Sequence, residues 1–134
     1  MAPGRAARPK DVGAPPGAHA CAFCPGAEDQ TPPEVDAVRA PGTTPDTPGW
    51  LVRVVPNKYP ALPPEEGRHE VLISSPEHLT SLGGLDDAQA ALAAGVWARR
   101  VAAAEADPRR LRPFLFLNQG REAGASLQHV HTQL

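Results

Sequence analysis

The sequence predicts an α+β domain: a mainly antiparallel sheet, one main helix and a loop-rich entry segment. Three observations carry this expectation. Short β-prone runs recur at residues 50–55, 69–75, 113–118 and 126–134. One long stretch of helix formers, GLDDAQAALAAGVWARRVAAAEADP, lies among them. Prolines and glycines, seventeen and twelve in the 134-residue chain, crowd into residues 1–20 and 25–50, which should hold little regular structure. Strand, strand, helix, strand, loop, strand is the order of an α+β fold.

Taken in order, residues 1–20 read as a flexible arm rich in Pro, Ala and Gly. Residues 21–49 read as a loop-rich segment. WLVRVVPNKYPAL then opens as a strand on Leu51, Val52, Val54 and Val55 and is stopped by Pro56 and Pro60. HEVLISS is a second strand, and SPEHL turns out of it. In the helix, Asp86 or Asp87 can cap the N-terminus, and Asp107-Pro108 stops the C-terminus. Leu85, Leu92, Val96 and Ala103 could form one apolar stripe, with Trp97 and Val101 as a second patch. PFLFLN is a third strand, QGREAGAS a loop, and SLQHVHTQL a fourth strand.

Composition narrows the function. A net charge of −2 offers no broad attraction for nucleic acid or an anionic membrane. Apolar runs are too short to span a bilayer, and the N-terminal stretch lacks the apolar core of a secretory signal. The default expectation is a cytoplasmic protein. Only six residues are aromatic, so the core must rest on Val, Leu, Ile and Ala.

Three constellations can carry chemistry. On a strand, His129, His131 and Gln133 would share one face, spaced roughly 7 Å apart. That suits two neighbouring tasks better than one compact contact. Read alone, it also fits a polar strand facing solvent. The preceding loop, Asn118 to Ser126, brings glycines that let backbone N–H groups approach an anion, and the Ser126 hydroxyl. Cys21 and Cys24 form a C-x-x-C pair that can hold zinc, act as a redox dithiol, or be two ordinary thiols. A zinc site needs two more ligands, and His78 and His129 are the candidate pair. Their distance along the chain argues against a compact DNA-reading finger and for a metal that links remote parts of one domain.

These residues resemble the N-terminal half of the galactose-1-phosphate uridylyltransferase family, within the histidine-triad superfamily. Four segments match in order: CAFCPGAEDQTPPEV, WLVRVVPNKYPAL, GRHEVLISSPEHLTSL and FLFLNQGREAGASLQHVHTQ. The resemblance implies a histidine-triad-like domain over residues 21–134. It implies a structural zinc on Cys21, Cys24, His78 and His129, and His131 as nucleophile. Gln133 would bond the transferred phosphoryl group. Asn118, Gly124 and Ser126 would line the phosphate and nucleotide site, and Asn57 would contact the nucleotide. Lys58 departs from the family's common acidic residue, and Val130 stands where proline is usual between the two histidines. The implied activity is transfer of a nucleoside monophosphate, UMP in the first reading, between sugar 1-phosphates through a covalent nucleotidyl-histidine. Its partners would be a nucleotide-sugar and a sugar 1-phosphate, with no nucleic acid or membrane. The alternatives are an adenine-nucleotide relative (an ADP-sugar phosphorylase or ATP adenylyltransferase) and a zinc-stabilised binding fragment without catalysis. Family enzymes continue into a second related half and form homodimers. The resemblance therefore implies that this sequence is a truncated product or a fragment.

Overall fold

A computed structural model describes residues 21–134; the expected arm, residues 1–20, lies outside the described residues. Strands β1 (Asp36–Arg39), β2 (Trp50–Pro56), β3 (Glu70–Ile73) and β4 (His131–Gln133) form one antiparallel sheet in that spatial order. Helix α1 (Asp87–Glu105) crosses one face. Short 3-10 turns occur at Glu28–Gln30 and Leu82–Gly84. This is the expected α+β architecture. No helix among the described residues is long and apolar enough to cross a membrane.

Period-2 alternation divides the sheet into two chemically different faces. Val52, Val54 and Leu72 point toward α1 and pack on Ala93 and Val96. Val55, Val71 and Ile73 point the other way and pack on Phe23 of the entry segment. Trp50 joins that second cluster although it has the parity of the first. The cause is a bulge between β1 and β2: Val38 pairs with Val52, but Arg39 pairs with Trp50. The extra residue turns the indole to the entry-segment face, where its N–H donates to Glu28 Oε1 at 2.8 Å. Gly49, just before it, has φ +104° and lies where a Cβ would run into Thr43, so the turn into β2 requires glycine.

Helix α1 begins as the sequence suggests. Asp86 is the cap, accepting from the Gln89 backbone N–H at 2.7 Å. The Gln89 side chain then donates to the Leu51 and Ser74 carbonyls, tying the helix start to two strands. The two predicted apolar patches prove to be one. The buried row is Ala93, Val96 and Ala104, flanked by half-buried Leu92 and Trp97. Leu85 precedes the helix. Arg100 lies in the same row and forms a two-toothed bond to Glu70.

Two expectations need correction, and a third gains detail. Residues 21–49 are loop-rich as expected, but they also hold β1 at Asp36–Arg39. Its four residues carry too little local signal against the flanking prolines, and it exists because β2 offers a partner. PFLFLN is not a strand: it joins the sheet only at Phe116, which exchanges both backbone bonds with Gln133, while Phe114 stays 76% exposed. SLQHVHTQL is a strand only over its last part, His131–Gln133. Before that, the Val130 N–H leaves the ladder to bond the Leu79 carbonyl.

The entry segment is stapled down by polar groups. Arg53, 1% exposed, donates to Glu34, Thr31 and Asp46. Arg39 adds a two-toothed bond to Glu34. Burial pushes the Glu34 carboxyl up, but the guanidinium groups of Arg39 and Arg53 outweigh this and hold it below the ordinary range.

Candidate active site and metal centre

Four side chains from three distant segments converge beyond the end of β4. Cys21 and Cys24 come from the entry turn, His78 from the exit of β3, and His129 from the approach to β4. Their ligand atoms all lie within 4.8 Å of one another. Cys24 Sγ is 3.2 Å from His78 Nδ1 and 3.6 Å from His129 Nδ1, and Cys21 Sγ is 3.9 Å from His129 Nδ1. Ideal tetrahedral zinc, with bonds of about 2.3 Å to sulfur and 2.0–2.1 Å to nitrogen, implies ligand separations of roughly 3.3–3.8 Å. The observed separations bracket that range, so this cluster is able to hold a metal ion.

The surroundings prepare the ligands. His129 is fully buried, and its Nε2–H donates to the Ser75 carbonyl at 2.8 Å. That bond leaves the Nδ1 lone pair facing the sulfurs. Burial pushes the His129 pKa down to about 4, and nearby His78 and His131 also lower it. The ring is thus neutral, the form that binds metals. The Phe23 backbone N–H donates to Cys21 Sγ at 3.4 Å, a bond that favours a thiolate.

His131 lies next to this cluster and is 3% exposed. Its Nδ1 is 2.7 Å from the His129 carbonyl oxygen. A carbonyl only accepts, so Nδ1 carries the proton and Nε2 keeps its lone pair. The same residue therefore offers its ring to the metal cluster and its backbone to His131. Phe23, between the two cysteines, packs edge-on against both rings, with centroids 6.4 Å from His129 and 5.1 Å from His131.

Gln133 and Asn57 meet on the same side of the sheet. Asn57 Nδ2 is 3.5 Å from Gln133 Oε1, and Asn57 Oδ1 accepts from the Tyr59 N–H. Asn118 lines a small, partly open hollow with Leu117, Gln119, Gly120, Leu127, His129 and His131. Ser126 is buried, and its hydroxyl has no bonding partner among the described residues. Ser74, Trp97 and Thr132 also have a buried polar atom without a partner among the described residues, and Ser126 does not line the hollow. Gly124 does not line the hollow: it sits in an exposed turn with φ +82°, its N–H on the Arg121 carbonyl.

Sequence reasoning missed several participants. Thr80 and Gln128 line the hollow, and Phe23 braces two histidines. His69 opens the second strand run and is not among the candidate site residues, yet its Nε2 is 2.9 Å from Gln133 Oε1. The position of Phe23 inside C-x-x-C could have drawn attention. Nothing local marks Thr80.

Comparisons with known proteins agree on a lineage. The family model "Galactose-1-phosphate uridyl transferase, N-terminal domain" matches residues 53–134. A galactose-1-phosphate uridylyltransferase of Streptomyces lividans is 33% identical over 69% of this chain and 26% of its own length. An ADP-glucose phosphorylase of Arabidopsis thaliana is 31% identical over 100% of this chain and 44% of its own length. The crystal structure of ADP-glucose phosphorylase from Arabidopsis thaliana with bound ADP-glucose aligns at TM-score 0.70 and 30% identity, over 90% of this chain and 41% of that one. A HIT family hydrolase from Legionella pneumophila shares the fold, at TM-score 0.54 and 18% identity over 85% of this chain and 89% of that one. The chain spans less than half the length of both curated relatives.

Proposed function

The chain belongs to the galactose-1-phosphate uridyl transferase family, and from that premise we propose that it carries the nucleotidyl-transfer half-site of such an enzyme. His131 is the nucleophile. The observation that carries the reading is the bond from its Nδ1–H to the His129 carbonyl, which fixes the ring and puts its lone pair on Nε2.

His131 Nε2 attacks the α-phosphorus of a nucleotide-sugar. The bond from phosphorus to the bridging oxygen breaks, and the sugar 1-phosphate departs with that electron pair. The nucleoside monophosphate stays on Nε2. The His129 carbonyl stabilises the positive charge that develops on the ring. A second sugar 1-phosphate attacks the same phosphorus in reverse and frees His131. The Gln133 amide and the Ser126 hydroxyl donate to the phosphoryl oxygens as charge builds there. Asn57, Asn118 and the turn at Gly124 belong to the nucleotide and phosphate side. Gln133 lacks the acidity of a histidine proton donor, which suits transfer rather than hydrolysis.

Zinc is the metal that the two-sulfur, two-nitrogen donor set fits, with Cys21, Cys24, His78 and His129 holding it. Its role is structural: it fixes the approach to β4 that aims His131. The hollow beside His131 is partly open to solvent and has room for little more than a water molecule, so it does not enclose a whole nucleotide-sugar. It therefore serves the phosphoryl end of the substrate, and the remaining contacts come from a second half or a partner subunit. The first reading is uridylyl transfer in the cytoplasm. The whole-chain likeness to an ADP-glucose phosphorylase supports an adenylyl donor as the second.

Incubation with radiolabelled UDP-glucose and, separately, ADP-glucose tests this and chooses the base. The expected result is a covalent adduct on His131 with one donor, absent in His131→Ala. A folded, metal-loaded chain that takes no label from either donor would leave the binding-only reading.

A further inference from the structure

Gln133 can serve a phosphoryl group only if its NH₂ side, not its carbonyl oxygen, faces the reacting atoms. The two ends of an amide have nearly the same shape, so packing alone does not choose between them. The loop between β2 and β3 holds the deciding contact. The Ala61 backbone N–H points at His69 Nδ1 at 2.8 Å. A backbone N–H only donates, so Nδ1 must be the bare nitrogen. The neutral ring then carries its proton on Nε2. That proton is aimed at the Gln133 side chain, 2.9 Å away, which must present its oxygen there.

A second donor agrees. Asn57 Oδ1 is taken by the Tyr59 N–H at 2.9 Å, so the Asn57 NH₂ also faces the Gln133 oxygen. Asn57 Nδ2 and His69 Nε2 lie 3.1 Å apart. With Nε2 protonated both are donors, so that contact is not itself a hydrogen bond; the 2.9 Å His69 bond holds the Gln133 oxygen, and Asn57 reaches it only at 3.5 Å. With that oxygen held, the Gln133 NH₂ is turned away from them. The rest of Gln133 is fixed too: its backbone exchanges both bonds with Phe116, and it lies opposite Val71 in β3. The His69 ring is covered by Phe116, with centroids 6.5 Å apart.

We infer that His69 is a positioning residue: through the Ala61 N–H it sets the direction of the Gln133 amide, and so makes Gln133 a donor to the transferred phosphoryl group. This rests on the nucleotidyl-transfer reading above. His69 touches no reacting atom in it.

The test uses the full chain and the rate of His131 labelling by UDP-glucose or ADP-glucose, whichever labels the parent. His69→Gln keeps a donor near the Nε2 position. His69→Glu puts an acceptor there and turns the Gln133 amide around. Removal of one preorganised donor typically costs roughly 10²–10³-fold. The expected result is a loss of about 10²-fold or more in maximal labelling rate for His69→Glu. The donor concentration giving half the maximal rate should change little, and His69→Gln should label close to the parent rate. In a Gln133→Ala background, His69→Glu should cost nothing further. Parent-like labelling by His69→Glu overturns the inference, and so does an equal loss with Gln133 already removed. If the parent takes no label, the transfer reading fails, and nitrogen NMR of the same chain judges the positioning. A proton on His69 Nε2, with Gln133 amide resonances that move in His69→Glu, supports it. A proton on Nδ1 overturns it.

Discussion

Leu72 and Ile73 are neighbours in β3, both fully buried, yet they look out on different chemistry. Leu72 faces α1 and meets Val52, Val54, Ala93 and Val96. Ile73 faces the entry segment, where Phe23 and Trp50 share the space with a buried Glu28, a buried Arg53 and the two histidines. The helix face holds by area removed from water. The other face also buries large apolar side chains, Phe23, Trp50 and Ile73 among them, and adds directed bonds: the indole on Glu28, the guanidinium on three partners, and the four-ligand cluster. This is the face that carries His131 and Gln133, and the proposed transfer reaction requires their polar groups there rather than hydrocarbon. Polar ties share the work of holding it.

The contrast can be broken most directly at the metal cluster. Treating metal-loaded protein with a chelator should lower Tm by roughly 10 °C or more, since the metal contributes several kcal/mol and each kcal/mol is worth about 4 °C in a domain of this size. The lost protection should map by hydrogen exchange to residues 21–27 and 126–131, with α1 little changed. Equal loss across both faces would show that they are one unit.

The next effect belongs to the buried guanidinium. Arg53→Ala leaves Glu34 buried with fewer partners and should cost about 3–5 kcal/mol in denaturant unfolding. Metal stoichiometry should stay at the parent value. Leu72→Ala tests the helix face and should cost about 2–5 kcal/mol, again with metal retained. If Leu72→Ala instead strips the metal, the faces are more strongly coupled than their packing implies.

A graded effect sharpens the comparison with pH. The folded chain holds His129 near 4, against 6.5 for an ordinary histidine. The unfolded chain therefore takes up a proton first as pH falls. In metal-free protein, the stability present above about pH 6.5 should decline down to about pH 4 and then level off. A His129→Asn variant should lose this part of the slope. The smallest effect is at the helix cap, where Asp86→Ala should cost about 1 kcal/mol with no change in labelling of His131.

Short-range patterns account for the elements that form locally. β2 and β3 were legible because Val and Ile runs ended by proline favour strands at short range. α1 was legible because its formers and its Asp86 cap act within a few residues. The candidate ligands were legible as residue types, since few side chains other than Cys and His bind metal through sulfur and nitrogen. Tertiary structure alone decided the rest. β1 exists because β2 lies beside it, and Trp50 changes face because of a bulge that only pairing creates. His78 and His129 meet Cys24 across 54 and 105 positions of chain, a convergence that only the folded sheet produces. His69 acquires its role from one backbone N–H in a loop and one amide on another strand. Hydrogen-bond direction is a property of groups brought together in space, and no spacing along the chain records it.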